Sequence, residues 1–304
     1  MKKYISTLLL LLAALIWGLS FSLQKSASAI PPFTLGLIRG AIAFLFLLAL
    51  IPFSDKITHT SPTLSAKRYL GFTKKEIIGG TLSGALLCAA AALQQIGITI
   101  GADAGRAAFI TSLYVAIVPI LSLFLKRKSP TSTYIGVGIA IIGFYLLCID
   151  GEFKIATADI SVLGCAVVFA IHILVIERFS EDCNGIKMSC IQFGVLALLS
   201  LILAAALDPT PNTAQILSAA PELLLLGLGA SGIAYTLQII GQRGANPTVA
   251  SITLSLESVF GVIGGVVFLN ESLTVREIFG CITVFLALML CEIDFGRIFD
   301  RKCK

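Results

Sequence analysis

Charged residues are scarce in this sequence, and their scarcity excludes a soluble globular protein. Asp, Glu, Lys and Arg make up 13% of the 304 residues, whereas apolar residues make up 57% and the mean hydropathy is +0.97. Soluble domains carry about 25% charged residues. The composition therefore predicts a membrane protein, with the lipid bilayer as a partner.

Histidine, tryptophan and metal-ligand motifs are scarce as well. The chain has two histidines and one tryptophan, and its eight cysteines show neither disulfide nor zinc spacing. No zinc-protease motif or nucleophile constellation appears in the apolar runs. We therefore expect no metal, no cofactor and no catalytic residues, so the protein is not expected to be an enzyme.

Long apolar runs, in contrast, fill most of the chain. A hydrocarbon core about 30 Å thick needs roughly 20 apolar residues per helix. Ten such runs lie near residues 4–24, 32–52, 76–100, 104–125, 131–149, 158–176, 188–207, 219–240, 245–269 and 275–293. The predicted fold is all-α and polytopic, with ten transmembrane helices and no room for a soluble catalytic domain.

The first run also has features of a secretory signal. Lys2 and Lys3 precede a leucine-rich stretch, and Ala27-Ser28-Ala29 resembles a small-residue cleavage site. However, Trp17 and Gly18 interrupt the leucines, and the run is longer than a usual signal core. We therefore interpret it as a retained helix.

The basic residues are sorted by loop, which predicts orientation rather than nucleic-acid binding. Although the net charge is +5, 17 of the 22 Lys and Arg residues fall in one set of alternate loops and four in the other, with Arg39 inside the second run. Cytoplasmic loops carry the excess of Lys and Arg. Both termini are therefore predicted to be cytoplasmic, in a multi-pass protein of the cytoplasmic (inner) membrane.

The five later runs resemble the five earlier ones. Gln95 aligns with Gln238 and Gly136 aligns with Gly280, at offsets of 143 and 144 residues. Because each set has an odd number of runs, the two copies are predicted to face opposite ways. Inverted repeats are typical of alternating-access transporters, whose substrate site lies between the repeats near the bilayer midplane. The predicted units are residues 1–150 for the first repeat, 155–295 for the second and 296–304 for a basic cytoplasmic tail.

Local patterns in several runs carry a family resemblance. They are Ala14-Leu15-Ile16-Trp17-Gly18, Arg39, the stretch 107–115 that leads to Pro119, and Leu254-Ser255-Leu256-Glu257 followed by residues 269–274. With these patterns the chain resembles the drug/metabolite transporter superfamily, and within it the permeases with two EamA domains of five helices each. Two positions depart from the family pattern, because Asn270 stands where glycine is usual and Ser258 where many relatives have proline.

The resemblance implies a ten-helix bundle around a central cavity and transport across the cytoplasmic membrane. We expect a secondary transporter for a small metabolite, an amino acid or related compound, that works by alternating access, with proton coupling as an option. A nucleotide-like metabolite or drug exchanger of the same fold is the alternative, and a membrane enzyme or a channel is a weaker one. The small-molecule substrate and a homodimer are the other partners considered.

Glu257 and His172 are the candidate proton-coupling residues. Glu257 lies near the middle of the ninth run, where an ionisable group is costly and usually faces a cavity or the protein interior. It is therefore also the first candidate for substrate binding. His172 lies near the middle of the sixth run and changes charge near neutral pH. The alternatives are a glutamate that joins helices and a histidine that makes one neutral hydrogen bond.

Six further residues are expected to bind substrate. Arg39, in the outer half of the second run, has a planar guanidinium group that suits a carboxylate or phosphate, although it could instead snorkel to the outer headgroups or pair with an acidic residue. Gln95 and Gln238 occupy equivalent positions in the repeats, and at most one of Gln94 and Gln95 can face a cavity. These glutamines could otherwise join helices. The aromatic candidates for the cavity wall are Trp17, Tyr114 and Tyr235.

Pro119 is the candidate for gating. A proline inside a helix removes one backbone hydrogen bond, so we expect a kink in the fourth helix that acts as a hinge. In the same run, Tyr114 aligns with Glu257 of the ninth run, so the two side chains are predicted to lie at equivalent depths.

Overall fold

Helices form nearly all of the computed structural model of this protein. It describes residues 2–57, 68–69, 71–102, 104–126, 130–148, 156–181, 183–210, 212–269 and 274–292. The helices of the first half are α1 (Lys2–Ser26), α2 (Pro32–Ile57), α3 (Lys74–Thr99), α4 (Ala104–Ser112), α5 (Tyr114–Phe124) and α6 (Thr131–Cys148). Those of the second half are α7 (Thr157–Ser180), α8 (Gly185–Leu207), α9 (Thr213–Ser218), α10 (Ala220–Leu224), α11 (Tyr235–Gly241), α12 (Pro247–Ser255), α13 (Glu257–Leu269) and α14 (Val275–Glu292). A π-helical stretch, Leu225–Ala234, joins α10 to α11 and is called the π segment.

A short hairpin leads into α3. Strands β1 (Arg68–Tyr69) and β2 (Phe72–Thr73) pair antiparallel, with Arg68 opposite Thr73. Thr73 also caps α3, because its Oγ1 accepts a hydrogen bond from the Glu76 amide while Glu76 Oε2 accepts one from the Thr73 amide. Glu76 Oε1 accepts a third bond from the amide of Asn184, which caps α8. One carboxylate therefore joins the starts of α3 and α8.

Several of the helices are long and apolar enough to cross a membrane. Seven segments meet this description: Tyr4–Ser26, Pro32–Pro52, Lys74–Thr99, Ala107–Phe124, Thr157–Ser180, Gly185–Leu207 and Ala220–Gly241. Shorter apolar helices at Thr131–Leu146, Pro247–Ile263 and Ile278–Ala287 coincide with the other three predicted runs. The helical, multi-pass class is confirmed, whereas the count of ten crossings and the orientation remain predictions. The predicted tail 296–304 lies outside the described residues.

The two halves interlock. α2 packs along α8 and α6 packs along α14, and each of these pairs joins helices that are equivalent in the two repeats. α3 packs on α7, and in the corresponding way α1 packs on α11 and the π segment. Each half therefore completes its packing with helices of the other half, and the space between them lies at the centre of the bundle.

Gly18 brings α1 unusually close to α13. A Cβ atom on Gly18 would lie 2.6 Å from the Glu257 carbonyl oxygen and 2.6 Å from Phe260 Cβ. Because protein interiors are close-packed, any side chain here would push α1 away from the helix that begins with Glu257. The contact positions Trp17, the neighbour of Gly18, beside the centre of the bundle.

The fourth and ninth predicted runs are each broken into two helices. Leu113 separates α4 from α5, and Leu256 separates α12 from α13. The two breaks are equivalent in the repeats, because the residues before them, Ser112 and Ser255, and the residues after them, Tyr114 and Glu257, are both 143 positions apart. The first break does not coincide with Pro119, because α5 continues through that residue. Gating by Pro119 remains a prediction, but the interruption of the run lies earlier in it.

Hydroxyl groups accompany the second break, which forms without proline. Ser251, Thr253 and Ser255 each donate a hydrogen bond to a carbonyl oxygen three or four residues earlier, at 2.8, 2.9 and 2.8 Å. Such bonds compete with the backbone ladder and bend helices. The interruption of the ninth run therefore does not need the proline that Ser258 replaces.

Candidate functional site

A central cavity lies where the two broken runs meet. The space between its walls is about 440 Å³, including open space at its mouth. Its walls come from both halves of the chain: Trp17, Ser20, Phe21, Gln24, Arg39, Gln94, Thr111, Tyr114, Phe169, Ile173, Tyr235, Gln238, Leu254 and Glu257. Six of the predicted substrate-binding residues are thus brought together, namely Trp17, Arg39, Tyr114, Tyr235, Gln238 and Glu257.

Tyr114 and Glu257 meet across the cavity. Tyr114 is the first residue of α5 and Glu257 is the first residue of α13, so each follows a break. Tyr114 Oη donates a hydrogen bond to Glu257 Oε1 at 3.2 Å, and the two residues are only 3% and 5% exposed. The start of a helix favours negative charge, because its free amide groups carry partial positive charge. The break therefore gives an otherwise costly carboxyl group a favourable position.

Serine hydroxyls hold the two breaks together. Ser112 Oγ lies 2.6 Å from Ser258 Oγ, and Ser258 Oγ donates to the carbonyl oxygen of Ala108 at 3.0 Å. A longer contact of 3.5 Å joins Ser112 Oγ to the carbonyl oxygen of Ser255. These bonds run between α4 and the α12–α13 junction, so they set the distance between the helices that carry Tyr114 and Glu257.

Arg39 contributes a buried cation to the same cavity. It is 6% exposed, and its Nε donates a hydrogen bond to Ser231 Oγ in the π segment at 3.0 Å. No described acidic residue forms an ion pair with it, and within the described ranges Glu257 likewise lacks a cationic partner. The guanidinium group therefore keeps most of its donors for another molecule.

Trp17 and Tyr235 form an aromatic wall. Their ring centroids lie 4.5 Å apart at an interplanar angle of 55°. Trp17 Nε1 donates a hydrogen bond of 2.9 Å to the carbonyl oxygen of Ala230 in the π segment. Phe193 of α8 also packs on Tyr235, with ring centroids 5.5 Å apart. The wall is therefore held in place from both α1 and the π segment.

Gln95 does not line the central cavity, contrary to expectation. Its neighbour Gln94 does, and Gln94 Nε2 donates to Thr111 Oγ1 at 3.0 Å. One residue along an α-helix is a rotation of about 100°, so only one of the pair can face the centre. Gln238, the equivalent of Gln95, does line the cavity. The π segment leads into α11, and α3 has no such segment before it. The wider turn of the π segment rotates α11, so that a different face of α11 is turned toward the cavity.

His172 also lies outside the cavity wall. It is fully buried, its Nε2 lies 3.2 Å from Gln192 Oε1, and its ring centroid lies 5.9 Å from that of Tyr235, a residue of the cavity wall. No hydrogen bond between described residues joins it to Glu257. A direct proton relay between His172 and Glu257 is therefore not formed in this conformation.

Sequence reasoning missed several polar and aromatic wall residues. Ser20, Phe21 and Gln24 follow Trp17 at intervals of three, four and seven residues, which places all four on one face of α1. This periodicity could have identified them. Phe169 aligns with Trp17 at an offset of 152 residues, which could have identified it. For Gln94 and Thr111 the sequence gives no comparable signal, because their direction depends on how each helix is rotated in the bundle.

Known proteins resemble this chain in sequence and in fold. The model of the EamA-like transporter family matches residues 5–149 and 156–292. An uncharacterized transporter from Archaeoglobus fulgidus is 30% identical over 299 residues, which cover 96% of this chain and 87% of that protein. A solved crystal structure of another protein superposes with a TM-score of 0.74 at 17% identity, over 96% of this chain and 98% of that one. At this identity the superposition demonstrates a shared fold.

Proposed function

Because the chain belongs to the EamA-like transporter family, we propose that it carries a small zwitterionic metabolite of the amino-acid type across the cytoplasmic membrane. Arg39 and Glu257 line a single buried cavity, and no described residue forms an ion pair with either of them. A substrate that bears one anionic and one cationic group complements both.

Electrostatics favours a zwitterionic substrate, because its two charges compensate the buried charges of Arg39 and Glu257. Removing a charge from water costs several kcal/mol, and the cost is recovered only by a well-placed opposite charge. A carboxylate can accept two parallel hydrogen bonds from the fork of Arg39. An ammonium group can donate to Glu257 and lie against the faces of Trp17 and Tyr235, which attract cations.

Alternating access is supported by the arrangement of the two halves. Both broken runs begin their second helix at the cavity, and the packing of α3 on α7 is repeated by the packing of α11 and the π segment on α1. In inverted-repeat carriers the halves rock about a central site and expose it to each side in turn. We place the substrate between Arg39 and Glu257 on the path that this motion opens.

The orientation and the number of crossings belong to the same proposal. The excess of Lys and Arg in alternate loops supports ten crossings with both termini in the cytoplasm, in the inner membrane. A protease-sensitive tag at the C-terminus should be cut in inverted vesicles and protected in right-side-out ones. The reverse pattern would overturn this topology. A homodimer remains a prediction.

Proton coupling is proposed through Glu257. Its carboxyl group can release a proton when the ammonium group of the substrate arrives and regain one when the substrate leaves, while Tyr114 Oη stays within hydrogen-bond distance. An imposed pH gradient should then drive accumulation in proteoliposomes, and the gradient should have no effect on Glu257→Gln. Wild-type transport that ignores the gradient would identify an exchanger or a uniporter instead.

Counterflow in proteoliposomes tests the function itself. Vesicles are loaded with one unlabelled amino acid at a time, and uptake of the labelled compound is measured. We expect Arg39→Gln to lower kcat/KM roughly 10- to 100-fold for any transported amino acid, since it removes a charged hydrogen-bond partner. Arg178→Gln is the matched control, because Arg178 is an exposed residue of α7. Counterflow with nucleotides or drugs, but with no amino acid, would favour the alternative substrate classes.

A further inference from the structure

A second cavity lies beside the central one, between α2, α3 and α8. Its walls are Pro32, Phe33, Leu35, Gly36, Arg39, Cys88, Ala91, Ala92, Gln95, Leu196 and Ser200. Among the described residues, Arg39 is the only one that lines both cavities. Under the predicted orientation these wall residues lie in the outer half of their helices. The second cavity therefore occupies the space between the central site and the outer surface.

The polar atoms of Gln95 point to a ligand in this cavity. Gln95 is 2% exposed, and neither its Nε2 nor its Oε1 has a hydrogen-bond partner among the described residues. A buried amide without partners costs about 1–3 kcal/mol per group. A molecule with hydrogen-bonding groups that enters this cavity would satisfy both atoms.

Ser200 and Arg39 add donors on the other walls. Ser200 is 3% exposed and contacts Cys88, with 3.6 Å between Oγ and Sγ. Gly36 leaves this hydroxyl accessible to the cavity, since a Cβ atom on Gly36 would lie 2.9 Å from Ser200 Oγ. Only the Nε of Arg39 is engaged within the described part of the chain. An amide, a hydroxyl and a guanidinium group around one small space favour a carboxylate.

We propose that the second cavity is an outer subsite that binds the carboxylate of the transported substrate on its way between the central site and the outer surface. This inference rests on the proposed function. Arg39 lines both cavities, so the substrate carboxylate can move from the outer subsite to the central site and stay bound to the guanidinium group throughout. Gln95 binds in the outer subsite and Gln94 faces the central one, which gives the adjacent glutamines separate roles.

Cys88 provides a native reporter of anion binding at this position. The anionic reagent 2-sulfonatoethyl methanethiosulfonate and its cationic trimethylammonioethyl analogue both form a mixed disulfide with a thiol and release methanesulfinate. Modification rates of the Cys88 peptide are measured by mass spectrometry in full-length protein in nanodiscs. Each rate is divided by the rate of the same reagent with a free thiol in solution. The Cys88→Ser variant is measured in parallel to show which modification signal comes from Cys88.

The outer subsite predicts a strong preference of Cys88 for the anionic reagent. We expect a normalised rate ratio of about tenfold, lost in Arg39→Gln and reduced severalfold in Gln95→Leu, as for loss of a charged hydrogen bond. Gln94→Leu is the matched control, because it makes the same change one residue away on the central side and should leave the ratio unaltered.

Three outcomes would overturn the inference. They are equal normalised rates for both reagents, equal effects of Gln94→Leu and Gln95→Leu, and modification of Cys88 only after denaturation. The assay needs no transport, so it separates this inference from the proposed function. Amino-acid counterflow without an anion preference at Cys88 would refute the outer subsite alone, whereas an anion preference without counterflow would refute the carrier function alone.

Discussion

The broken runs α4–α5 and α12–α13 have the same backbone arrangement but carry different side chains after the break. Both are interrupted at equivalent leucines, and both begin their second helix at the cavity. The first then presents Tyr114, a neutral hydrogen-bond donor, and the second presents Glu257, an ionisable acceptor. The repeat therefore supplies a symmetric scaffold, while the pair of side chains at its centre makes the site asymmetric.

The two breaks are also stabilised differently. In the second half, three hydroxyls of α12 bond to carbonyl oxygens of their own helix. In the first half, Ser112 bonds across to the opposite run, and Thr111 accepts from Gln94 of α3. The second break is therefore stabilised within its own segment as well as by the bonds of Ser258 to α4, whereas the hydroxyls of the first break bond to other runs.

Replacing the carboxyl group at the second break should have the largest effect. Glu257→Gln keeps the size of the side chain and removes the negative charge, so we expect kcat/KM in amino-acid counterflow to fall by about 100-fold or more. Glu181→Gln, at an exposed position after α7, is the control and should transport normally. Normal transport by Glu257→Gln would reduce Glu257 to a helix-joining residue.

The helix contacts beside the two breaks should respond unequally to a change in size. Gly18→Ala adds a methyl group against the backbone of α13, and we expect it to destabilise the protein by about 1–3 kcal/mol. At an offset of 152 residues Gly18 aligns with Ala170 of α7, which is fully buried, so the second half accepts a Cβ at this position. A thermal-unfolding shift smaller for Gly18→Ala than for Ala170→Gly would contradict this difference between the halves.

Removing the hydroxyl at the first break should have a moderate effect on transport. Tyr114→Phe deletes the hydrogen bond to Glu257 but leaves the ring and the carboxyl group, so kcat/KM should fall by about 5- to 10-fold. The double variant Tyr114→Phe/Glu257→Leu should be no worse than Glu257→Leu alone, because either change by itself removes the hydrogen bond between the two side chains. Additive losses would mean that Tyr114 acts independently.

The smallest predicted effect is a difference in stability between alanine variants of Ser112 and Ser255, the two serines that precede the breaks. Ser112→Ala removes the bond between the runs and should cost about 0.6–1.7 kcal/mol, the usual range for interhelical hydrogen bonds in membranes. Ser255→Ala removes a bond within α12 and should cost less, or even stabilise the helix. Equal shifts in the unfolding temperature would show that the two breaks are held together in the same way.

Much of the site was predictable from the sequence because ionisable and aromatic residues are rare in apolar runs. Arg39, Tyr114 and Glu257 stand out for this reason, and the structure places all three on one cavity. His172 satisfies the same criterion and Gln95 is a further polar residue in an apolar run, yet both lie away from the wall of the central cavity. A buried polar residue can serve a second cavity or a helix interface as readily as the central one, and its type does not distinguish these places.

The amino-acid sequence by itself determined the helical membrane class, the twofold repetition and the equivalence of Tyr114 and Glu257. These follow from composition, because a backbone in hydrocarbon must satisfy its own hydrogen bonds, and from the spacing of matched residues. Only the tertiary structure decided which side of each helix faces the cavity, that Gln94 and Gln95 face different cavities, and that the breaks precede Tyr114 and Glu257. The physical reason is that lipid and protein interior are equally apolar, so a membrane helix carries little pattern of its own to show which way it points.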